Sequence, residues 1–124
     1  DVIAYNSAYD VALIKVPASL PRYFKLQRTL PSIGADVYAL GSPLTEDLDG
    51  TLSRGVISNI RKENNKTLIQ SDVNVLPGNS GGPLVNELGE AVGITVSGMQ
   101  INKAPQGINF FIPIKDALEV MKLQ

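Results

Sequence analysis

The 124-residue sequence contains no cysteine, no histidine and no tryptophan. Without cysteine it forms no disulfide and no thiolate metal site. Without histidine as well, a zinc or copper site would consist of carboxylates alone, which these metals do not favour. We therefore expect neither a metal nor a cofactor. The missing histidine also removes from this stretch of chain the usual general base for a serine nucleophile.

The sequence also lacks a charge excess and a long apolar run. Its 11 basic and 12 acidic residues give a net charge of −1, which provides no electrostatic basis for binding nucleic acid or an anionic membrane. No apolar run reaches the roughly 20 residues of a membrane-spanning helix. The first five residues are not typical of a signal peptide and include no initiator Met. We therefore expect the chain to be a piece of a longer protein.

Short runs rich in Val, Ile, Tyr and Phe recur between turn residues, which is typical of strands. Asn64-Asn65 and Leu88-Gly89-Glu90 are expected at hairpin tips. Eight short strands at near-regular spacing predict an all-β barrel or sandwich. The predicted strands span residues 2–5, 11–16, 37–40, 55–60, 67–71, 83–85, 91–97 and 110–113.

One helix is predicted at the C-terminus. Apolar residues fall there at i, i+3, i+4 and i+7, which places them on one face, and Pro113 suits a helix start. These residues are Ile114, Ala117, Leu118 and Met121. Residues 16–30 carry two prolines and are expected to link two structural units.

The block from Leu76 to Leu84, L-P-G-N-S-G-G-P-L, is the strongest candidate for chemistry. It has three interpretations: a glycine-rich turn with an exposed serine, the nucleophile elbow of an α/β-hydrolase, or the nucleophile of a chymotrypsin-type peptidase. An elbow requires a strand–turn–helix context and a downstream histidine, whereas the 44 residues after Ser80 contain none. The predicted all-β context favours the chymotrypsin type.

In that interpretation glycines let backbone N–H groups converge beside the serine oxygen, because glycine tolerates unusual dihedrals. The converging amides stabilise the oxyanion of a tetrahedral intermediate by roughly 3–4 kcal/mol per donor. The candidate oxyanion hole comprises Gly78, Asn79 and Ser80, with the amides of Gly78 and Ser80 as donors.

A second signal is Asp10, which leads into an apolar strand at residues 11–16. It is either an ordinary aspartate at a strand entrance or the triad acid that orients a histidine. The acid precedes the serine by 70 residues, which matches the chymotrypsin order His…Asp…Ser and not the α/β-hydrolase order.

The chain resembles trypsin-like peptidases of the HtrA/Deg group. Five segments resemble motifs of that group in the same order, and an Asn at position 79 without neighbouring cysteine favours it over the disulfide-bearing digestive peptidases. The five segments are residues 10–16 (D-V-A-L-I-K-V), 34–43 (ending Y-A-L-G-S-P), 52–58 (L-S-R-G-V-I-S), 70–86 (Q-S-D-V-N-V-L-P-G-N-S-G-G-P-L-V-N) and 107–113 (G-I-N-F-F-I-P).

This resemblance implies two six-stranded Greek-key barrels with the active site between them. It predicts that residues 1–16 end an incomplete first barrel, residues 17–35 link the barrels, residues 36–113 form the second barrel, and residues 114–124 form a C-terminal helix. The catalytic histidine is then expected before Asp1. Because loss of the triad base costs about 10⁶ in kcat, we expect the isolated chain to be inactive.

By the same resemblance, the primary substrate pocket is formed by Val75, Thr95, Val96, Ser97, Gly98 and Ile108. These residues carry no charge, which predicts small or medium aliphatic side chains at the cleaved position. Val75 and Ile108 have an alternative role as core residues. The acidic loop at residues 45–51 is either simply solvated or part of an activating loop.

Two functions of different classes remain open. The first is a serine endopeptidase that cleaves unfolded or damaged protein, extracytoplasmic by resemblance. The second is a histidine-less pseudopeptidase that binds peptides in the cleft. A viral-type protease or capsid domain matches less well. Because half of a barrel would leave edges unpaired, residues 1–16 are expected to cause self-association or strand exchange, or to be disordered.

Overall fold

The computed structural model describes residues 1–41, 51–75, 79–96 and 107–123. It contains two sheets and a short C-terminal helix. The elements are β1 (Val2–Asn6), β2 (Val11–Ile14), β3 (Asp36–Gly41), β4 (Thr51–Glu63), β5 (Lys66–Ser71), β6 (Pro83–Asn86), β7 (Ala91–Thr95), β8 (Asn109–Pro113) and α1 (Ile114–Val120).

Strands β3 to β8 form a closed antiparallel barrel in the order β3-β4-β5-β8-β7-β6. Closure leaves the barrel without a free edge, which is how small all-β units avoid uncontrolled pairing. The predicted all-β fold with a six-stranded barrel is therefore confirmed.

The barrel interior holds a continuous apolar core. Alternation along β3 directs Val37 and Ala39 inward, where both are completely buried. Gly93 in β7 leaves room for the Ile69 side chain, since a Cβ there would lie 3.2 Å from its Cδ1. The core consists of Val37, Ala39, Ile57, Ile69, Val73, Leu84, Val92 and Phe111.

The remaining strands, β1 and β2, form a separate two-stranded hairpin. Its turn end docks on the barrel, because Val11 packs with Ile112 of β8 and Ala117 of α1. The rest of the hairpin is exposed, including Val2, Ile3, Tyr5 and Ile14.

All eight predicted strands differ in length from those in the structure, β4 by seven residues and the others by one or two. The sequence predicted a strand at residues 55–60, but β4 runs through Gly55 and has 13 residues. Gly55 is needed there, since a Cβ would lie 2.6 Å from the backbone N of Val73. Strand β2 ends at Ile14 and not at Val16, close to Pro17, which has no N–H to donate to a ladder.

The local turn and helix signals are largely confirmed. Asn64 and Asn65 both have positive φ at the β4–β5 tip, and Gly89 has φ +77° at the β6–β7 tip. Helix α1 follows Pro113, which is its N-cap and not its first helical residue. Ile114 and Ala117 are buried as expected. Residues 15–35 contain no strand, although Leu26 forms an isolated parallel bridge with Ala91 of β7.

Candidate active site

Ser80 lies in a tight turn that immediately precedes β6. The Gly82 N–H donates to the Asn79 carbonyl at 2.9 Å, which closes a four-residue turn from Asn79 to Gly82. Gly81, the third residue of this turn, has φ +84°. A positive φ at this place is the requirement of a type II turn, and glycine meets it without strain. The backbone conformation of the turn therefore explains the glycine at position 81.

Strand β7 fixes the far side of the same turn. The Gly81 N–H donates to the Thr95 carbonyl at 2.8 Å, and the Thr95 N–H donates to the Gly82 carbonyl at 2.9 Å. Ser80 itself is exposed, while its neighbour Asn79 is 3% exposed. The serine is thus presented to solvent on a backbone that two hydrogen bonds hold to the barrel.

The end of β3 forms the floor beneath this turn. The Asn79 side chain lies so close to Gly41 that a Cβ on Gly41 would collide with its Oδ1 and Cγ. A Cβ on Gly82 would lie 2.6 Å from the Leu40 carbonyl oxygen. Glycines at positions 41 and 82 therefore permit the close approach of the turn to β3.

Within the described residues, two buried polar atoms near the turn have no hydrogen-bond partner, namely Asn79 Oδ1 and Thr95 Oγ1. Such atoms are costly to leave unpaired and are rare in native structures. Their position on either side of the Ser80 turn sets this part of the barrel apart from its fully apolar core.

Polar side chains hold in place the segment that precedes the serine block. Asp72 Oδ1 accepts a hydrogen bond from the Val56 N–H at 2.8 Å. Ser71 Oγ donates to the Val56 carbonyl at 2.7 Å and accepts from the Val73 N–H at 3.1 Å. Asn109 Nδ2 donates to the Val73 carbonyl at 2.8 Å. We call Ser71, Asp72 and Asn109 the approach clamp.

The sequence alone predicted no role for the residues of the approach clamp. Its residues lie inside two segments that carried the resemblance, Q-S-D at residues 70–72 and G-I-N-F at residues 107–110. Polar residues placed so close to the Ser80 motif were the available signal. Their distant partners, 15 to 36 residues away in sequence, could not be identified without the fold.

Asp10 lies at the end of the β1–β2 turn, is exposed, and has φ +57°. A left-handed conformation is uncommon outside glycine and persists where neighbouring contacts impose it. The next residue, Val11, packs in a cluster with Ile94 and Val96. Ile94 is the chain neighbour of Thr95, whose backbone is hydrogen-bonded to the Ser80 turn.

The structure describes some of the predicted pocket residues and not others. Val75 is half-buried and packs against the barrel core, while Val96 joins the second apolar cluster around Val11. Thr95 is buried and Ile108 is half-buried. Gly78, Ser97, Gly98 and residues 45–50 of the acidic loop lie outside the described residues.

Ionisable groups with perturbed pKa values lie away from the Ser80 turn, at the β6–β7 tip. Hydrogen bonding with Asp36 and the charge of Asp36 raise the pKa of Glu87. Hydrogen bonds from Asn86 and Gln27 lower the pKa of Glu90. Asp36 also forms an ion pair with Arg54 at 3.3 Å.

This tip borders a cleft of about 350 Å³ lined by residues 34–36 and 86–88, none of which is a predicted site residue. Within the described residues, no group of three or more acidic side chains could hold a metal ion. Nor does that part of the chain contain a helix long and apolar enough to cross a membrane.

Comparison with known proteins gives consistent matches. The family profile described as trypsin-like peptidase domain matches residues 1–94. The serine endoprotease DegS of Escherichia coli strain K12 is 35% identical over 130 aligned residues, covering 97% of this chain and 36% of DegS. A Pseudomonas fluorescens protein named "Probable periplasmic serine endoprotease DegP-like" is 39% identical over 124 residues, covering 96% of this chain and 26% of that protein.

Two solved protease structures are also similar to this chain. The HtrA-type protease AlgW with decapeptide superposes with a TM-score of 0.81 at 30% identity, covering 98% of this chain and 39% of that one. A serine endoprotease from Yersinia pestis superposes with a TM-score of 0.78 at 33% identity, covering 98% and 42%. The chain spans about a third of the length of these relatives.

Proposed function

Because this chain belongs to the trypsin-like peptidase family, and within it to the HtrA type, we propose that it carries the nucleophile and the acid of a serine endopeptidase. Ser80 is the nucleophile and Asp10 the triad acid. The catalytic histidine interacts with both Ser80 and Asp10. It is supplied by a part of the intact protein outside these 124 residues, which contain no histidine.

The proposed chemistry follows the serine triad. Ser80 Oγ attacks the scissile carbonyl while the histidine accepts its proton and later returns it to the leaving amine. Asp10 holds the imidazole in the required tautomer and stabilises its cationic form. The oxyanion is stabilised by backbone N–H groups of the cradle formed by Gly78, Asn79 and Ser80.

The substrate is proposed to be an unfolded or damaged protein. Val75, Thr95, Val96, Ser97, Gly98 and Ile108 line the primary pocket and favour small or medium aliphatic side chains. The solved structure of AlgW with a decapeptide supports a peptide as the ligand. The naming of a relative as periplasmic supports an extracytoplasmic location for the intact protein.

The observation that best supports this proposal is the Ser80 turn itself. An exposed serine follows a buried asparagine, and the turn is bonded on both sides of Gly81 to β7. A glycine-rich surface loop has no need for this rigidity, whereas a nucleophile must be held within a fraction of an ångström of its reacting geometry.

Labelling with a fluorophosphonate tests the proposal. We expect the intact protein to label rapidly, the Ser80→Ala variant not to label, and a Ser19→Ala control at an exposed serine to label like the wild type. The isolated 124-residue chain should label slowly, since loss of the base costs about 10⁶ in rate. Fast, Ser80-dependent labelling of the isolated chain contradicts the proposal that its base lies elsewhere.

The absence of histidine from the chain supports a second candidate, a peptide-binding pseudopeptidase. In that case the intact protein binds a decapeptide but neither labels nor hydrolyses it, and Ser80→Ala leaves the affinity unchanged. The upstream coding sequence separates the two candidates directly, because a pseudopeptidase has no histidine at the position that faces Asp10.

A further inference from the structure

The turn that carries Asp10 is held in place by residues far along the chain. Tyr9, its immediate neighbour, is half-buried at the junction of the hairpin, β5 and α1. Its hydroxyl oxygen accepts a hydrogen bond from the Thr67 N–H at 3.2 Å and donates to Asp116 Oδ2 at 3.5 Å. The ring also faces a cation, since Lys66 Nζ lies 5.8 Å from its centroid.

Asn6 secures the other end of the same turn. Its Oδ1 accepts from the Tyr9 N–H at 3.0 Å, and its Nδ2 donates to the Val120 carbonyl of α1 at 3.4 Å. The turn is therefore connected to α1 through both Asn6 and Tyr9. These contacts span 107 to 114 residues of sequence.

This arrangement accounts for the unusual backbone at Asp10. A non-glycine residue at φ +57° is disfavoured in isolation and persists only when its surroundings over-determine it. On one side lie the bonds of Tyr9 and Asn6, and on the other lies the burial of Val11 in the cluster with Ile112 and Ala117. Contacts from β5 and α1 thus add to the hairpin's own Asn6–Tyr9 hydrogen bond in holding the turn that carries Asp10.

We propose that Tyr9 and Asn6 are positioning residues that hold Asp10 in its working orientation from β5 and α1. This role rests on the proposed function, in which Asp10 orients the catalytic histidine. Neither residue touches substrate. They act through the turn, and the distance between the Asp10 carboxylate and the imidazole depends on them.

The test uses the intact protein, steady-state hydrolysis of a chromogenic peptide and its pH dependence. Tyr9→Phe removes the hydroxyl while keeping the ring. Loss of its hydrogen bonds is expected to lower kcat about two- to tenfold with little change in KM. Tyr5→Phe is the matched control, because Tyr5 lies on the same hairpin and is 69% exposed, and it should behave like the wild type.

The acid limb of kcat/KM separates positioning from a general loss of stability. A well-placed carboxylate stabilises the imidazolium, so a displaced Asp10 lowers the histidine pKa and moves the acid limb to lower pH. The charged groups that face Tyr9 are Asp116 and Lys66. Asp116→Asn keeps an oxygen acceptor for the Tyr9 hydroxyl and should retain the wild-type profile, whereas Asp116→Ala should shift it in the same direction as Tyr9→Phe.

Melting temperatures of all variants are measured alongside. A Tyr9→Phe enzyme with an unshifted acid limb overturns the positioning role, whether or not its melting temperature falls. Asp10→Asn and Ser80→Ala measured in parallel test the proposed function. If either retains full activity, that function is wrong and this role fails with it. If both abolish hydrolysis while Tyr9→Phe and Asp116→Ala match the wild type, only the positioning role is wrong.

Discussion

At the residue scale, two glutamates at the β6–β7 tip respond to pH in opposite directions. A hydrogen bond with Asp36 and, after it, the negative charge of Asp36 raise the pKa of Glu87 in the folded state above its ordinary value of 4.5. Such a group stabilises the fold below its unfolded pKa and loses that contribution as the pH rises through the folded pKa. Glu90 has a lowered pKa, so its contribution is present above its unfolded pKa and lost as the pH falls.

We therefore expect Glu87→Gln to raise the melting temperature at neutral pH, because an amide keeps the hydrogen bond with Asp36 and removes the repulsion. The difference from wild type should shrink as the pH falls through the raised pKa of the folded state and be smallest below about 4.5, where Glu87 is protonated in both folded and unfolded states. Thermal unfolding between neutral and acid pH measures this. Solvent screens the charges of Glu87 and Asp36, so the expected changes in melting temperature are small.

Glu90→Gln is the matched control for this prediction. This substitution removes the negative charge from the side chain that accepts hydrogen bonds from Asn86 Nδ2 at 3.0 Å and from Gln27 Nε2 at 3.3 Å. It should therefore lower the melting temperature at neutral pH. Shifts of the same sign in both variants would contradict the assignment of opposite pKa changes to the two glutamates.

At the element scale, the sequence predicted local features better than the contacts between elements. The asparagine pair at residues 64–65 and the glycine at 89 are turn signals with a local physical cause, and the structure places them at hairpin tips. Gly55 was interpreted as a strand boundary for the same local reason. Its actual role depends on Asp72 and Val73, which lie opposite it only after β4 and β5 pair.

The same limit applies to the candidate site. The motif around Ser80 and the position of Asp10 could be proposed as site residues because residue type and order indicate the chemistry. The hydrogen bonds of Tyr9 with Asp116 and of Asn6 with Val120 could not, since neither residue type nor spacing predicts a partner more than 100 residues away. Residues that support a site are therefore harder to find than those that form it.

The approach clamp allows a prediction about how β4 and β5 support the serine block. Asp72→Ala removes the acceptor of the Val56 N–H, which we expect to destabilise the fold by about 0.5–1.5 kcal/mol. Asp72→Asn keeps an oxygen at the same place and should cost less. Urea unfolding of the three proteins measures the difference.

Under the proposed function, the approach clamp also allows a prediction about the intact protein. Because Asp72 and Ser71 fix the segment that leads to residues 76–80, Asp72→Ala should reduce the rate of fluorophosphonate labelling at Ser80 more than Asp72→Asn does. If both variants label at the wild-type rate despite a loss of stability in Asp72→Ala, the clamp serves the barrel alone and does not orient the nucleophile.

At the scale of the whole molecule, the two sheets differ in how well they bury their apolar surface. The barrel is closed, whereas the β1–β2 hairpin exposes Val2, Ile3, Tyr5 and Ile14 by 54–69%. A two-stranded sheet with an uncovered apolar face is marginal in water and favours association. The hairpin persists here because its turn is bonded to α1 and β5.

We therefore expect the isolated 124-residue chain to self-associate through the hairpin, and light scattering across a concentration series measures the association.

Val2 and Ile14 are paired across the hairpin and each is 62% exposed. The double variant Val2→Lys/Ile14→Lys places two charges on the apolar face and should shift the chain toward monomer. Leu88→Lys, at an 82% exposed leucine on the β6–β7 tip, should leave the association unchanged. A wild-type chain that stays monomeric throughout, or a double variant that associates as strongly as the wild type, would show that the exposed hairpin face is not the contact surface.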